Sequence, residues 1–262
     1  SRAAQSISAP LTTLLSVSGT LFPILAEAED PALQRNLAVL NRACYQLLRV
    51  SENLTDLSFI QSGRLPLSLE KTDLADFLDG LSQRADALCR QADRTLEVSL
   101  PQAPIFVWID RRQVRRALLA LLSNAIKFTA PGGTVHLTLT RLGRRAVIRV
   151  TDNGEGMDAE VLIGAFRRYA RPETPEDPRF GAGFSLPVVQ AVLQAHGGSI
   201  LLQSQKGGGT DALLTLPAGE PADRTLLKSP RVRIDRSGGF VPELVELSDV
   251  LPPEIFDVRN FL

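Results

Sequence analysis

The sequence feature that most constrains the fold is an apolar strand that runs into an Asp-x-Gly-x-Gly motif at residues 148–157. Apolar and polar residues alternate along it, which predicts a half-buried β-strand that ends at Asp152. An ionised carboxylate at the last buried strand position can accept a hydrogen bond from an exocyclic amine, while Gly154 and Gly156 allow the backbone to approach a flat ring. This combination suits adenine. The alternative is a β-hairpin, because Asn153-Gly154 is also a common two-residue turn.

Composition limits the classes of function that need to be considered. Lys plus Arg and Asp plus Glu number 29 each in 262 residues, so the formal net charge is zero and we expect no nucleic-acid partner. This length suffices for one large or two modest domains. The two cysteines, Cys44 and Cys89, lie in helical patterns without metal-ligand spacing, so we expect them to be small buried residues in a reducing compartment.

No segment of the sequence predicts a membrane span. The longest uncharged run, residues 10–26, contains several Ser and Thr residues and Pro23, and no signal peptide is visible. We therefore expect a cytoplasmic location. Because the sequence begins at Ser1 without a Met, any membrane attachment is expected to come from segments outside this sequence.

Two helical patterns occupy residues 1–64. The first has apolar residues at three-four spacing between Leu11 and Leu25, and the second begins at a capping Asp30-Pro31 and ends at Gly63. Two helices joined by a short turn predict an antiparallel hairpin, which cannot bury its own apolar stripe in water. We therefore expect a homodimer through a four-helix bundle. The stripe of the second helix consists of Leu33, Leu37, Leu40, Cys44, Leu47, Leu54 and Leu57.

Residues 65–219 predict helices and strands around one mostly antiparallel sheet. Thr72 or Asp73 is expected to cap one helix and Asp110 the next, which runs to Phe128. A hairpin between residues 135 and 151 then places Asp152 at the end of its second strand. Residues 170–180 are rich in Pro, Arg and acidic residues and predict a mobile lid. The composition changes in residues 220–262, where we expect a hairpin around Gly238-Gly239 and assign no function.

Two further groups of residues carry possible chemistry. Asn124 and Lys127 share one face of their helix, where an amide oxygen can bind a hard cation and an ammonium group can neutralise phosphate. A solvated pair near a helix end is the alternative. Gly181 and Gly183 open a further helix, whose backbone N–H groups can cradle phosphates. The sequence contains no Gly-Lys-Ser/Thr of the P-loop type.

Taken in order, these motifs resemble the ATP-binding domain of bacterial sensor histidine kinases, within the GHKL superfamily that includes gyrase, Hsp90 and MutL. The resemblance covers residues 65–217 and rests on Asn124 with Lys127, Asp152-Asn-Gly154-Glu-Gly156, Phe166 with Tyr169, Gly181-Ala-Gly183, His196-Gly-Gly and Gly209-Thr210. The N-terminal hairpin resembles the dimerisation and phosphoacceptor domain of the same family. The resemblance implies an α+β chain with a dimeric helical hairpin at 1–64, an α/β-sandwich ATP-binding domain of the Bergerat type at 65–219, and a C-terminal extension at 220–262.

The resemblance also implies ATP and Mg²⁺ as cofactors, and a response regulator as a partner in two-component signal transduction. Asp152 would accept the adenine amine and Asn124 would bind Mg²⁺. The remaining nucleotide-binding positions are Gly154 and Gly156 beside the adenine, Lys127 and Arg171 at the phosphates, and Gly181 and Gly183 at the lid hinge.

Several positions depart from the family pattern. Aligning Pro10-Leu11 with the Pro-Leu of the family motif puts Gln5 at the phosphoacceptor His and Ser6 at its acidic neighbour. Ala120 replaces a polar residue one helical turn before Asn124, and Ser185 replaces a third glycine. A glutamine amide is not a usable nucleophile. His136 and His196, the two histidines of the chain, are expected to be structural.

These departures leave the enzymatic activity open. One hypothesis is the catalytic core of a sensor kinase that binds Mg-ATP and transfers the γ-phosphoryl group. The other is a pseudokinase that binds nucleotide and signals as a dimeric scaffold. A water-activating ATPase is disfavoured, because it needs a carboxylate one turn before Asn124, where the chain has Ala120.

Overall fold

The structure is a computed structural model that describes residues 13, 14, 17, 31–61, 65–166, 185–219 and 241–257. Thr13, Leu14 and Val17 are helical, in agreement with a first helix in this segment. Several predictions concern positions outside the described residues. These are Gln5, Ser6, Pro23, Gly63, the lid at 170–180, Arg171, Gly181, Gly183 and the hairpin around Gly238-Gly239.

Helix α1 (Pro31–Gln61) begins at the predicted proline and has two different faces. One face is buried against the rest of the molecule, and Cys44 lies in this core as the buried residue that we expected. Leu40 and Leu47 of the predicted stripe are 50% and 52% exposed, respectively. The neighbouring Val39 and Val50 are also exposed, so that α1 presents an apolar stripe to the outside.

The mixed region that follows confirms the predicted α+β class. Its elements are β1 (Glu70–Asp73), α2 (Leu74–Gln91), β2 (Thr95–Ser99), β3 (Phe106–Ile109), α3 (Arg111–Phe128), β4 (Thr134–Leu142), β5 (Arg145–Asp152), α4 (Ala159–Gly164), α5 (Ser185–Ala195), β6 (Ser199–Ser204) and β7 (Thr210–Pro217). The five-stranded sheet has the order β2-β4-β5-β7-β6, and all of its pairs except the parallel β2-β4 pair are antiparallel. Strands β1 and β3 form a separate antiparallel pair.

Local sequence explains where the helices of this region begin. Asp73 caps α2 by accepting a hydrogen bond from the backbone N–H of Ala75 at 3.1 Å. Asp110 caps α3 by accepting bonds from Arg112 and Gln113, both at 3.1 Å. Each cap satisfies N–H groups that the first helical turn leaves unbonded. The apolar faces of both helices then pack on one side of the sheet, in a core that includes Leu78, Leu118, Leu122 and Ile148.

Strand β5 lies at the centre of the large sheet and alternates buried and more exposed residues as predicted. Its last residue, Asp152, lies opposite Val135 on β4 and Thr210 on β7. The chain does not turn back into a strand after Asp152, so the hairpin alternative for Asn153-Gly154 is wrong. The motif therefore ends the central strand and begins a loop that leads to α4.

The last described segment, residues 241–257, consists of helix α6 (Pro242–Leu247) and a 3₁₀ turn (Pro253–Phe256). Helix α6 packs against α1 and α3, and the 3₁₀ turn packs against α1. No helix in the described part of the chain is long and apolar enough to cross a lipid bilayer.

Candidate nucleotide site

The carboxylate of Asp152 lies at the end of the central strand and is largely buried, with 8% of its surface exposed. Its Oδ1 accepts hydrogen bonds from the backbone N–H groups of Gly154 at 2.9 Å and Thr210 at 3.2 Å. Within the described residues both bonds fall on Oδ1, which leaves Oδ2 for a ligand. Burial raises the pKa of this carboxyl above its ordinary value, against the lowering effect of the two backbone bonds.

The loop after Asp152 packs tightly against the end of α3. The N–H of Glu155 donates to the carbonyl of Phe128 at 3.0 Å, and a Cβ on Gly154 would lie 2.3 Å from the same oxygen. Gly156 has φ of +64°, and a Cβ there would lie 2.0 Å from the carbonyl oxygen of Gln205. Only glycine fits at both positions. The sequence predicted glycine here because a ligand must approach the backbone, and the structure adds backbone packing as a second reason.

This packing brings the second group of predicted residues to the same end of the sheet. Lys127 lies in the last turn of α3, next to Phe128, and Asn124 lies one turn earlier on the same face; both residues are half-buried. Because Phe128 holds the Asp152 loop, the amide, the ammonium and the buried carboxylate belong to one neighbourhood. Lys127 Nζ also lies 3.7 Å from the carboxylate of Asp249, which the sequence analysis did not connect with the site.

The residues of this region are better suited to a metal ion that is bound together with a ligand than to one that the protein coordinates by itself. Among the described residues, no group of three or more His, Cys, Asp or Glu could hold a metal ion. Asn124 offers one amide oxygen, and Ala120 one turn earlier is buried and offers no ligand. Mg²⁺ usually keeps several waters and takes one or two protein ligands together with substrate phosphates.

His196 has the structural role that we expected. His196 ends α5, where its Nδ1 donates to the carbonyl of Val192 at 2.7 Å and its Nε2 accepts from the N–H of Asp110 at 2.9 Å. Burial lowers its pKa, which favours this neutral form. His136 lies on β4, half-exposed beside Glu97 at 3.1 Å.

Both cysteines are free and buried, as predicted. Burial raises the pKa of Cys44, and it raises the pKa of Cys89 to about 12. A thiol with the pKa of Cys89 carries almost no thiolate at neutral pH.

A buried charge cluster beside the site was missed by the sequence analysis. Its centre is Arg116 on α3, whose Nε lies 3.0 Å from Glu246 on α6 and 3.3 Å from Glu52 on α1. Arg116 also pairs with Asp56 and donates to Asn53 at 3.2 Å. Burial disfavours the guanidinium charge, but the surrounding carboxylates still raise its pKa above the ordinary value. The three-residue spacing of Glu243, Glu246 and Asp249 was the available signal.

The structure thus gathers five of the eight predicted nucleotide-binding residues at one end of the central sheet. The other three, Arg171, Gly181 and Gly183, lie outside the described residues. Ser185, at the position of the third family glycine, begins α5, and its hydroxyl accepts a hydrogen bond from Arg49 of α1 at 3.5 Å. The five gathered residues are Asn124, Lys127, Asp152, Gly154 and Gly156.

Comparison with known proteins shows what this arrangement is similar to. Residues 109–220 match the family model described as histidine kinase-, DNA gyrase B-, and HSP90-like ATPase. The circadian input-output histidine kinase CikA of Synechococcus elongatus is 28% identical over 236 residues, which are 86% of this chain and 30% of that protein. The methanogenesis regulatory histidine kinase FilI of Methanothrix harundinacea is 30% identical over 212 residues, 79% of this chain and 23% of that protein. The chain therefore spans about a quarter to a third of these relatives.

Solved structures show the same fold. The structure of full-length ShkA in complex with AMPPNP matches with a TM-score of 0.66 and 20% identity, over 85% of this chain and 46% of that one. The histidine kinase AdeS of Acinetobacter baumannii matches with a TM-score of 0.56 and 21% identity, over 80% of this chain and 98% of that one. At these identities the likeness concerns the fold.

Proposed function

We propose that this chain, which carries the ATP-binding catalytic core of a sensor histidine kinase, binds Mg-ATP at the end of β5. We also infer that it acts within a protein of two-component signal transduction. Asp152 accepts the N6 amine of adenine, and Lys127 contacts the phosphates. Arg171, Gly181 and Gly183 complete the phosphate side of the same site. A response regulator is the expected partner of the phosphoryl-transfer chemistry.

The observation that carries this proposal is the environment of Asp152. A carboxylate that is 8% exposed, with both described hydrogen bonds on one oxygen, has an acceptor left for a ligand donor. The exocyclic amine of a flat ring can donate a hydrogen bond to that acceptor oxygen. This bond takes the place of the hydrogen bonds to water that burial prevents. Guanine presents a carbonyl oxygen at the corresponding position, so the same carboxylate discriminates against it.

Mg²⁺ would be held by Asn124 together with the nucleotide phosphates. Bound there, the ion would neutralise phosphate charge. Asn124 would orient the metal through its amide oxygen, and Lys127 would add a positive charge one turn further along α3. The binding of Mg²⁺ should therefore depend on nucleotide, because the described protein ligands alone do not form a cage.

Titration with Mg-ATP tests the proposal directly. Asp152→Asn replaces the acceptor by an amide and should weaken ATP binding by about 1–3 kcal/mol, or roughly 5- to 150-fold in Kd. Asp211→Asn is a matched control, because Asp211 lies on the adjacent strand and pairs with Arg149 at 3.3 Å. Absence of saturable binding by the unchanged chain at millimolar Mg-ATP would overturn the proposal.

A pseudokinase is the second candidate, and the observation that favours it is Gln5 at the position of the phosphoacceptor. We expect no acid-labile, base-stable phosphohistidine when the chain is incubated with γ-labelled ATP. Gln5→His should create activity, and adding Ser6→Glu and Ala120→Asn should increase it. Labelling of the unchanged chain at His136 or His196 would contradict this candidate.

The same proposal includes a homodimer through the exposed apolar stripe of α1. Leu40 and Leu47 are about half exposed in the single chain, and a second copy of the hairpin would cover them. Leu40→Glu should release monomers, as measured by light scattering at tens of micromolar. Leu142→Glu is a matched control, since Leu142 is 75% exposed at the tip of the β4-β5 hairpin. A monomeric mass for the unchanged chain would count against the bundle.

A further inference from the structure

Residues 241–257, which we call the C-terminal strap, contact helix α1 and the α+β region at the same time. Leu244, Leu247, Leu251 and Phe256 are each at most 3% exposed and belong to the main core. The ring of Phe256 packs against Tyr45 of α1, with 5.3 Å between the ring centroids. The strap is therefore an integral layer of the molecule in this conformation.

Side chains of α1 also bind the backbone of the strap. Asn41 donates to the carbonyl of Phe256 at 3.0 Å, and Arg42 donates to the carbonyls of Ser248 at 3.0 Å and Asp249 at 3.1 Å. These acceptors belong to the turn after α6 and to the end of the 3₁₀ turn, where the helix has no further N–H groups to bond its last carbonyls. Helix α1 thus satisfies the carbonyl groups that the short helices of the strap leave unbonded.

Acidic residues three positions apart fix the other side of the strap. Glu243 pairs with Arg84 of α2 at 3.0 Å. Glu246 lies 3.2 Å from Arg49 of α1 and 3.0 Å from Arg116 of α3. The arrangement is a docking site for an acidic, amphipathic segment, formed by helices α1, α2 and α3 and occupied here by the chain's own residues.

The third acidic residue connects this docking site to the nucleotide site. Asp249 pairs with Arg49 of α1 at 2.5 Å and lies 3.7 Å from Lys127 of α3, with 30% of its side chain exposed. A single carboxylate of the strap is thus shared between the hairpin helix and the lysine proposed to contact phosphate. Its negative charge would repel the phosphates of a nucleotide bound at Lys127.

We infer that the C-terminal strap competes with nucleotide phosphate for Lys127, so that strap docking and nucleotide binding oppose each other. This inference rests on the proposed function, because it takes Lys127 as a phosphate contact. Phosphates that recruit Lys127 remove one partner of Asp249 and repel its charge. By linkage, a docked strap weakens nucleotide binding by the same factor by which bound nucleotide weakens strap docking.

The docked strap would therefore restrain the nucleotide-binding domain, and bound nucleotide would loosen this restraint. With the strap docked, α1 and α3 are joined through Arg49, Glu246 and Arg116, and the domain is held against α1. Motions of loops and domains gate the activity of many enzymes. A docked strap would therefore keep the nucleotide-free molecule in one arrangement.

Nucleotide titrations of two strap variants test the inference. Asp249→Asn removes the charge at Lys127 and should lower the Kd for Mg-ATP about two- to fivefold, the size expected for a partly exposed charge pair. Adenosine, which has no phosphates, should bind both forms equally. Glu254→Gln is the matched control, because it removes the same charge from an exposed position of the same strap.

Hydrogen exchange of the strap gives a second readout that does not depend on affinity. The N–H groups of Val245 and Leu251 donate within the strap to the carbonyls of Val241 at 3.2 Å and Leu247 at 3.1 Å, so their exchange reports whether it is ordered. Saturating Mg-ATP should accelerate exchange in residues 241–257 by at least about threefold, whereas adenosine should not.

The outcomes separate the inference from the function on which it rests. If neither the unchanged chain nor Asp249→Asn binds Mg-ATP, the proposed function fails and the inference fails with it. If both bind with the same Kd, or if Mg-ATP slows exchange in the strap, the function stands and the inference is overturned. Binding of Mg-ATP by Asp249→Asn alone would support both.

Discussion

Two buried carboxylates of this molecule have opposite electrostatic surroundings. Glu246 of the strap is 2% exposed and lies between two guanidinium groups, Arg49 at 3.2 Å and Arg116 at 3.0 Å. Asp152 is 8% exposed and, among the described residues, receives two backbone N–H groups and no cation. The first carboxylate is neutralised by the fold, and the second is left for something else to satisfy.

The difference teaches how to separate a structural charge from a binding charge. A buried carboxylate without a cation is unfavourable for folding, and the raised pKa of Asp152 expresses that desolvation. A buried carboxylate that is fully paired holds elements together, because removing either partner leaves the other uncompensated. Three acid-to-amide or arginine substitutions distinguish these cases.

Arg116→Met should have the largest effect, because it leaves Glu52, Asp56 and Glu246 buried without their shared cation. We expect a loss of about 3–5 kcal/mol in the free energy of unfolding, measured by urea denaturation at pH 7. Arg149→Met is the matched control: Arg149 pairs with Asp211 at 3.3 Å with 52% of its side chain exposed, so its loss should amount to less than about 1 kcal/mol. Equal losses in the two variants would mean that burial does not strengthen the Arg116 pairs.

Glu246→Gln should have an intermediate effect of the same sign. The amide oxygen can still accept a hydrogen bond from one arginine, but its NH₂ group then faces another donor. We expect a loss of about 1.5–3 kcal/mol, the contribution of hydrogen bonds to charged groups. Glu97→Gln, at an exposed pair with His136, should change stability by less than about 0.5 kcal/mol. A neutral Glu246→Gln would show that the charge of Glu246 is not needed to hold the strap.

The sequence predicted the Asp152 side of this comparison well, because the relevant signals are local. Strand alternation placed Asp152 at the end of a buried strand, and the capping residues Asp73 and Asp110 fixed the helix starts. Such signals depend on residues within one or two turns of each other. The same holds for His196, whose position at a helix end was enough to assign it a structural role.

The strap side could not be predicted, because its partners are far apart in the chain. Arg116 and Glu246 are 130 residues apart, and Arg49 and Glu246 are 197 residues apart. No local sequence pattern around these residues identifies their partners. Heptad-like spacing described α1 as a bundle helix, and only the docked strap shows that this helix has a second buried face.

Asp152→Asn should have the smallest effect on stability and the opposite sign. The amide oxygen can keep the bonds from Gly154 and Thr210, and the unpaired charge is gone, so we expect a gain of about 1 kcal/mol for the free protein at pH 7. The folded-state pKa of Asp152 is raised, so the folded chain binds this proton more tightly than the unfolded chain does. The contribution of that proton to stability is complete below the unfolded pKa and is lost as pH rises through the folded pKa. The advantage of Asn over Asp should therefore shrink as urea denaturation is repeated at decreasing pH. If Asp152→Asn is instead less stable at pH 7, the protein itself stabilises this charge. Asp152 would then belong with Glu246 as a structural carboxylate.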